Sequence, residues 1–536
     1  MERRAFLREL AAAFAAAQTL PAIAAALSEH LDRLRTDLSA APDEEAYWRR
    51  IGEEFLLEPG LLHFNCGSIG ATPRAVVEAY KAYIDRMETN PYEYAWSGFP
   101  DATLASAAVA AGSFLGARHG SVLLTRNTTE GMNLVATGMR LQAGDEVLTT
   151  DHEHPGGVYC WLHMAEQQGV VVRQIHLPTP VTSKDDILQL VEDAITPRTR
   201  VCSFSHVTTT TGLQMPMREI SALTRPRDIL LVCDGAQAPG MLDVDVSDLG
   251  VDAYASSSHK WMLAPKGSGL LYVRGDAQDR IRPVSAFDTG QRNHSYYSAY
   301  TGATGTRGVP HLVAHADTMA FHNLIGRGRV ETRVRQLNGY LRQRLRAIPM
   351  LTPLTPEDPE LSSAMASYRL TGHSVAMLRE ELKRRHVIVK QTGYNWVLPG
   401  NSIPQEQQEV LRLSTHIFHD AAQIDGLVEA IGDILGVDTG VGMESPAAPR
   451  AFALRPNAPN PFNGATRIEY DLSRPGPVHV SVYDAQGHVV EVLDQGWRRA
   501  GTHRLTWSAG DRASGTYFCQ VTAEGAQQVG KMLLLQ

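Results

Sequence analysis

A lysine and an aspartate are the residues of this chain best suited to covalent catalysis, because each lies in a distinctive local pattern. Lys260 follows three serines and a histidine, residues 256–259. Asp234 follows the apolar residues 229–233, a pattern that predicts a buried parallel strand with the carboxylate at its end. Open α/β sheets bind their ligands at the carboxyl ends of the strands. We therefore predict that Asp234 faces a ligand site.

An amine and a carboxylate in this setting match the requirements of pyridoxal 5'-phosphate (PLP). The PLP aldehyde needs a lysine for covalent attachment, and the ring nitrogen needs a carboxylate that keeps it protonated, so that the ring can accept electrons from a substrate carbanion. Lys260 and Asp234 are the two candidates, and Gln237 on the following turn is predicted to reach the phenolic oxygen. For either motif alone, a surface lysine or a capping aspartate is an equally good interpretation.

A third motif offers a place for the phosphate group. Residues 125–131, Thr-Arg-Asn-Thr-Thr-Glu-Gly, follow the strand-like residues 121–125 and precede a helical pattern of apolar residues. The hydroxyl groups of Thr128 and Thr129, together with free N–H groups at a helix N-terminus, can bind a dianion. On its own, such a threonine pair is more often a plain helix cap.

These motifs, in this order, resemble a known family. The sequences DGAQAPG and SSSHKWMLAPKGSGLLYV are similar to the class V aminotransferase group of fold-type I PLP enzymes, which includes cysteine desulfurases, selenocysteine lyases and isopenicillin N epimerases. The resemblance covers roughly residues 48–436. It implies an α/β fold, with a mostly parallel sheet flanked by helices and a smaller α+β domain built from both flanks of the catalytic region.

The resemblance also implies roles for residues away from Lys260. Ser257 and His259 match further phosphate contacts, and His154 matches the histidine that stacks on the cofactor ring. Arg412 matches the arginine that holds the substrate α-carboxylate, a contact that suits a planar guanidinium. Thr306, within Gly-Thr-Arg, matches a loop that reaches the phosphate of the neighbouring subunit, which implies a homodimer. Without the resemblance, the alternative for His154 is a loop histidine exposed to solvent, and the alternative for Arg412 is a structural salt bridge.

The loop His-Phe-Asn-Cys-Gly-Ser-Ile-Gly at residues 63–70 resembles the substrate-side loop of the isopenicillin N epimerase-like branch. Asn65 and Ser68 are its candidate substrate contacts, and its two glycines are expected to allow a close backbone approach to a ligand. A plain glycine-containing turn before a helix is the alternative.

Two departures from the desulfurase pattern narrow the predicted chemistry. Trp396 lies in or near the position of the persulfide-forming cysteine, and Thr209 stands where desulfurases often have asparagine. The first departure argues against a sulfur relay, and the second removes one expected contact. The five cysteines are scattered, and several fall in apolar runs where a buried, unreactive thiol is expected.

Composition agrees with a large enzyme followed by a smaller module. The 536 residues are 43% hydrophobic and 20% charged, which predicts two or three domains. A formal net charge of −8 argues against nucleic acid as the main partner. The sequence contains no run of eighteen apolar residues, so no transmembrane helix is predicted. We predict no metal site.

The two ends of the chain carry candidate export signals. Residues 1–27 combine two arginines with an alanine-rich segment, which is typical of a twin-arginine signal; an ordinary amphipathic helix is the alternative. Residues 438–456 are rich in Gly, Ser, Pro and Ala and predict a linker. Residues 457–536 show short alternating strands that predict an Ig-like β-sandwich. This tail resembles the carboxy-terminal sorting domains of type IX secretion substrates; a fixed sandwich for protein or sugar contacts is the alternative.

Together these patterns predict an exported homodimeric PLP enzyme whose catalytic region spans residues 45–437, with a large domain at about 75–310. The predicted partners are the export machinery and an amino acid or peptide-like substrate, with a final location in the periplasm, on the cell surface or outside the cell. If the signals are misread, the location is cytoplasmic. Epimerisation at the α-carbon is slightly favoured; a C–S lyase, an aminotransferase and an inactive surface-displayed binding protein are the alternatives.

Overall fold

A computed structural model describes most of the chain. The predicted twin-arginine motif, the greater part of the predicted linker, Gly305 and Trp396 lie outside the described residues. The structure describes residues 21–96, 99–118, 120–282, 306–393, 398, 409–439, 452–473, 476–498, 501–523 and 525–535.

Fourteen α-helices and twenty strands are named here in chain order within this described part. The helices are α1 Pro21–Ser39, α2 Glu44–Gly52, α3 Arg74–Thr89, α4 Pro91–Ala95, α5 Phe99–Phe114, α6 Thr128–Gly138, α7 Pro155–Gln168, α8 Lys184–Ala194, α9 Met217–Thr224, α10 Val246–Leu249, α11 Val309–Ile325, α12 Arg327–Leu345, α13 Val375–Arg384 and α14 Ala421–Leu435. The strands are β1 Leu62–His63, β2 Val122–Thr125, β3 Glu146–Thr150, β4 Val171–Ile175, β5 Thr199–Ser205, β6 Leu230–Asp234, β7 Ala253–Ser256, β8 Gly269–Val273, β9 Leu351–Pro353, β10 Met365–Leu370, β11 Val387–Ile388, β12 Lys390–Thr392, β13 Val410–Ser414, β14 Ala453–Leu454, β15 Ala465–Leu472, β16 Gly476–Tyr483, β17 Val489–Arg498, β18 Gly501–Ser508, β19 Gly515–Ala523 and β20 Ala526–Leu534.

A seven-stranded sheet forms the centre of the catalytic part. Its order is β2-β8-β7-β6-β5-β3-β4, and the strands from β7 to β4 run parallel while β8 is antiparallel to both of its neighbours. Every residue of β6 is buried, as expected for a strand covered by helices on both faces. The polar loops after β3, β5, β6 and β7 therefore meet at one edge of the sheet.

A second, antiparallel sheet supplies the other wall of the site. Its order is β12-β13-β10-β9, and helices α12, α13 and α14 pack with it in a hydrophobic cluster of its own. The early strand β1 pairs in parallel with β11, with Leu62 opposite Val387. This pairing brings the residue 63–70 loop beside the carboxy-terminal part of the catalytic region.

The carboxy-terminal tail forms two antiparallel sheets, β14-β15-β18 and β17-β16-β19-β20. Between them lies a separate apolar cluster that includes Phe462, Trp507 and Tyr517, and the alternating burial of β19 fits a strand with one face on this core. The mostly parallel PLP-type fold with a β-sandwich tail, predicted from sequence, is confirmed.

The tail also touches the catalytic part directly. Trp497 on β17 is buried and belongs to the hydrophobic cluster of the antiparallel sheet rather than to the sandwich core. Its indole lies so close to Gly426 on α14 that a side chain there would collide with it. A similar close approach joins Pro477 to Gly60. The sandwich therefore has a core of its own and a defined contact with the enzyme.

Among the described residues, no helix is both long and apolar enough to cross a bilayer.

Candidate active site

Lys260 and Asp234 lie at the same edge of the central sheet. Asp234 ends β6, and Lys260 follows β7, the next strand in the sheet. Burial lowers the pKa of Lys260 to about 8; the charge of Asp234 opposes this shift and that of Arg412 adds to it. More of the Lys260 amine is therefore unprotonated near neutral pH than in an ordinary lysine, as a nucleophile or base requires.

The Asp234 carboxyl is buried and forms no ion pair within the described residues. Its Oδ1 accepts a hydrogen bond of 2.9 Å from the N–H of Ala236. Burial raises its pKa, whereas the Ala236 N–H and the charge of Lys260 lower it. Gly157 on α7 allows this helix to approach Asp234, because a side chain at Gly157 would lie against Oδ2.

The phosphate motif forms a helix N-terminus, as predicted. Asn127 caps α6 by accepting a hydrogen bond of 2.9 Å from the N–H of Glu130. The N–H of Thr128 donates to the Ser257 Oγ at 3.0 Å, and the Thr128 and Ser257 hydroxyl oxygens are 2.8 Å apart. The structure therefore brings Thr128 and Ser257 together at the positive end of a helix dipole, where an anion is stabilised.

His154 and Thr129 lie on either side of the close turn at Gly156. The N–H of Gly156 donates to His154 Nδ1 at 3.0 Å, and the Thr129 hydroxyl leaves no room for a side chain at Gly156. The His154 side chain is more than a third exposed. Partial burial in the cleft lowers its pKa to about 4, and the charges of Lys260, Arg412 and Lys390 add to the shift. His154 is therefore a neutral ring at physiological pH.

Arg412 is the most heavily coordinated side chain of the site. Its Nη1 donates to the carbonyl oxygen of Thr209 at 3.0 Å and to the Thr209 hydroxyl at 2.9 Å. Its Nη2 donates to Asn65 Oδ1 at 3.1 Å and to Ser68 Oγ at 2.9 Å. Three neutral partners from two distant parts of the chain therefore hold the guanidinium in place.

The same guanidinium has no anionic partner in the described structure. Arg412 is 2% exposed, its Nε has no hydrogen-bond partner among the described residues, and none of their carboxylates forms an ion pair with it. Burial lowers its pKa to about 10, so it remains charged near neutral pH. A buried charge without a counter-ion is costly, and a carboxylate ligand would compensate it. The structural salt bridge considered from sequence is absent in these residues.

The glycines of the residue 63–70 loop serve the protein itself. Gly67 lies against the Arg412 guanidinium, where a Cβ would be only 3.1 Å away, and Gly70 lies against the backbone carbonyl of Lys260, where a Cβ would collide. The Gly70 N–H also donates to the carbonyl oxygen of His259 at 2.9 Å. The predicted approach of these glycines to a ligand stays a prediction; in the structure they contact other candidate site residues of this chain.

Gln237 and Thr209 link the two halves of the site. The Gln237 amide donates to the carbonyl oxygen of Gly67 at 2.9 Å and to the Thr209 hydroxyl at 3.2 Å, and it accepts from the Trp261 indole at 2.7 Å. The amide is thus engaged with protein groups, and its contact with a cofactor oxygen stays a prediction. Thr209, considered from sequence only as a lost contact, instead connects Gln237 to the guanidinium of Arg412.

Of two further predicted phosphate contacts, His259 has another partner in the single chain and Thr306 is exposed. His259 Nδ1 lies 3.0 Å from the carbonyl oxygen of Ser268. Thr306 is exposed, and the adjacent Arg307 donates to the carbonyl oxygen of Leu124 at 2.6 Å. Contact of Thr306 with a neighbouring subunit stays a prediction.

Sequence reasoning missed two ionisable groups near this site, Glu153 and Lys390. Glu153 is buried and accepts hydrogen bonds from the Thr150 and Ser205 hydroxyls at 2.7 and 2.6 Å; burial raises its pKa to about 8. Lys390 on β12 lies opposite Arg412 on β13. Strand alternation identifies Lys390 as a neighbour of Arg412 only when the pairing of the two strands is known.

The residues present fit PLP as a bound group. The paired Thr128 and Ser257 hydroxyls at a helix N-terminus suit its phosphate, and a lysine with a lowered pKa suits its aldehyde. Asp234, a buried carboxyl that forms no ion pair within the described residues, suits a protonated ring nitrogen. The Ser256 and Ser258 hydroxyls are buried and have no partner within the described residues, so two hydroxyl groups near Lys260 are free to form hydrogen bonds with a ligand.

Comparison with known proteins agrees with this assignment. A family model described as aminotransferase class-V matches residues 69–427, and the chain belongs to this family. It is therefore a PLP-dependent enzyme. The protein is 34% identical to an isopenicillin N epimerase of Amycolatopsis lactamdurans over 72% of this chain and 98% of the relative. It is 25% identical to a probable cysteine desulfurase of Methanothermobacter thermautotrophicus over 70% of this chain and 95% of the relative.

Solved structures show the same fold. An apo cysteine desulfurase from Thermococcus onnurineus is 20% identical, with a TM-score of 0.62, over 70% of this chain and 95% of that one. A cystine C–S lyase in complex with cysteine persulfide is 22% identical, with the same TM-score of 0.62, over 70% of this chain and 97% of that one. The tail matches a model described as a secretion system C-terminal sorting domain at residues 458–535.

Proposed function

We propose that this protein is an exported epimerase or racemase that inverts the α-carbon of an amino acid or of a peptide-like substrate. The observation that carries the proposal is the arrangement around Arg412. A buried guanidinium without a counter-ion in the described structure lies near Lys260, and Asn65, Ser68 and Thr209 hold it in place. This arrangement fits a substrate α-carboxylate beside a base.

Each proposed role follows from the position of the side chain. Arg412 binds the α-carboxylate, and Lys260 Nζ removes the α-proton. When bound, PLP supplies the conjugated ring that accepts the electron pair left on the α-carbon, and Asp234 keeps the ring nitrogen protonated. Return of a proton to the opposite side of the α-carbon inverts its configuration.

The thiols of the chain do not suit a persulfide relay. All five cysteines lie in the described part and all are buried. Cys66 follows Asn65 in the substrate-side loop, and burial raises the pKa of its thiol, which disfavours the nucleophilic thiolate. The sequence between residues 394 and 408 contains no cysteine. These observations favour epimerisation over sulfur transfer through a protein cysteine.

The relatives support two outcomes of the same first step. Two isopenicillin N epimerases, at 34% and 31% identity, favour epimerisation. The probable desulfurases, at 25% identity, favour a C–S lyase as the second candidate, which would release a sulfur substituent after the α-proton is lost. The complete set of Lys260, Asp234, His154 and Arg412 argues against an inactive binding protein.

The test is incubation of the PLP-loaded protein in deuterium oxide with isopenicillin N, with a panel of L-amino acids and with L-cysteine. We expect deuterium at the α-carbon in both configurations of at least one substrate, detected by chiral chromatography and mass spectrometry. Treatment with L-cysteine should leave all five thiols free of persulfide. Release of sulfide without inversion of any substrate would favour the lyase, and a trapped protein persulfide would contradict the proposal.

We also propose that the tail directs the enzyme across the outer membrane through type IX secretion after twin-arginine export, and that the enzyme is a homodimer in which Thr306 reaches the neighbouring subunit. The sorting-domain match supports the first part. Deleting residues 457–536 should retain the enzyme in the periplasm with at least about half of its activity, because the sandwich has its own core.

Fractionation of a host that has both export pathways measures this outcome. Deletion exposes the part of α14 that Trp497 covers, so some loss of thermal stability is expected. The matched control is Trp497→Ala in the full chain, which should keep the normal destination. Secretion of the truncated enzyme would contradict the sorting role, and full-length protein that stays in the cytoplasm with Met1 intact would contradict export.

A further inference from the structure

Lys390 lies on the same face of the antiparallel sheet as Arg412. The two residues are directly opposite in the antiparallel pair β12–β13, so their Cβ atoms are about 5 Å apart and their side chains leave the sheet on one side. The neighbouring Gln391 points to the other face, where its amide donates to Glu409 at 2.9 Å. Lys390 therefore faces the substrate side of the sheet.

The Lys390 ammonium has no carboxylate partner in the described structure. It is partly buried, and no ion pair of the described residues includes it. Glu409, which directly precedes β13, accepts hydrogen bonds from the Gln391 amide and the Ser374 hydroxyl on the opposite face of the sheet. Burial lowers the pKa of Lys390, and the charges of Arg412 and Arg379 add to this shift.

On the substrate side of the site, Lys390 is the cation left without an anionic partner among the described residues. Asp234 is close enough to influence the charge of Lys260, and the substrate α-carboxylate would neutralise Arg412. The Lys390 charge also acts electrostatically on the site, because it lowers the pKa of His154. Two cations on one face, one strand apart, match two anionic groups a few carbon atoms apart in one molecule.

We propose that Lys390 binds an anionic group on the substrate side chain, and thus selects amino acids that carry a second carboxylate. This inference rests on the proposed function, because it takes the α-carboxylate to be held by Arg412. It means that the site recognises the charge of the substrate side chain as well as the α-carboxylate. Substrates with a neutral side chain of the same size should leave the Lys390 ammonium unpaired, which is unfavourable in a partly buried position.

The experiment compares L-glutamate with L-glutamine, which differ in charge and hardly in size. In the PLP-loaded wild-type protein, kcat/KM for α-proton exchange should be at least about tenfold higher for L-glutamate, the factor that corresponds to a modest charged contact. In Lys390→Gln this preference should vanish through a raised KM for L-glutamate, with kcat and the L-glutamine values nearly unchanged. Lys390→Arg should keep most of the preference.

Binding of α-methyl-L-glutamate, which has no α-proton, gives a second measurement by calorimetry. Its affinity should fall about tenfold in Lys390→Gln and stay unchanged in Lys383→Gln, the control that removes an exposed lysine of α13. If no amino acid exchanges its α-proton, the proposed function fails, whereas this binding difference still tests Lys390. A wild-type protein without preference for the dicarboxylate overturns the inference.

A carboxylate of the chain itself is the competing partner. Residues 394–408 contain one acid, Glu406. If Glu406→Gln reproduces the effects of Lys390→Gln, the lysine pairs with this chain rather than with substrate, and the inference is wrong. An equal loss of activity with both substrates in Lys390→Gln would also overturn it, because a general structural role predicts no dependence on the charge of the side chain.

Discussion

Replacement of Lys260 with alanine is expected to abolish both turnover and the visible absorbance of covalently held PLP. The substitution removes the amine that bonds the aldehyde and the base that takes the α-proton, so we expect α-proton exchange to fall by about 10⁴-fold or more. The buried position and the lowered pKa of Lys260 favour both roles. Absorbance spectra of the purified variant and exchange from deuterium oxide measure the two effects.

Lys266 provides the matched control for this experiment. It lies six residues further along the chain, and its Nζ donates to the Thr72 hydroxyl at 3.1 Å. Lys266→Ala should keep the visible absorbance. Borohydride reduction of the wild-type protein, followed by peptide mapping, should locate the pyridoxyl group on Lys260. Its recovery on Lys266 would show that the assignment is wrong.

Replacement of Asp234 with asparagine is expected to separate cofactor binding from catalysis. The amide has nearly the same shape and can still accept a hydrogen bond from Ala236, so PLP should remain bound. It carries no negative charge to keep the ring nitrogen protonated, and α-proton exchange should therefore fall by about 10²-fold or more. Exchange at the wild-type rate would refute the role of Asp234.

Glu153 is the matched control for Asp234, because it is a second buried carboxyl that Asp234 influences electrostatically. Burial raises the pKa of Glu153 to about 8, so this group is mostly neutral near pH 7. Near pH 7, Glu153→Gln therefore hardly changes the charge of the site. The Thr150 and Ser205 hydroxyls can donate hydrogen bonds to either side chain. We expect an exchange rate within about threefold of the wild-type value, since a buried site tolerates a neutral replacement that keeps its hydrogen bonds.

The positions of the two candidate cofactor residues, Lys260 and Asp234, were predictable because local patterns reveal them. An apolar run that ends in an acid identifies a buried strand and its carboxyl end, and the observed β6 is fully buried up to Asp234. The threonines before an apolar helical pattern likewise indicate a helix N-terminus, and α6 begins at Thr128. Patterns of this kind depend on a few neighbouring residues, which sequence displays directly.

The substrate side of the site was predicted only in part. Asn65, Ser68 and Arg412 were identified by resemblance, but their contact with one another arises from the pairing of β1 with β11 and of β13 with its neighbours. Thr209 was interpreted as a missing contact, whereas the fold makes it a ligand of the guanidinium. The absence of a counter-ion for Arg412 in the described structure follows from burial, which no local pattern encodes.

The sequence by itself determined the family, the cofactor and the presence of a sorting module, and it predicted that Lys260 and Asp234 handle the cofactor. Tertiary structure decided that Lys390 shares a face with Arg412 and that Trp497 joins the tail to α14. The physical reason is the range of the forces involved. Strand and helix patterns come from the chain's local hydrophobic periodicity, whereas strand register and packing bring together groups that are far apart in sequence.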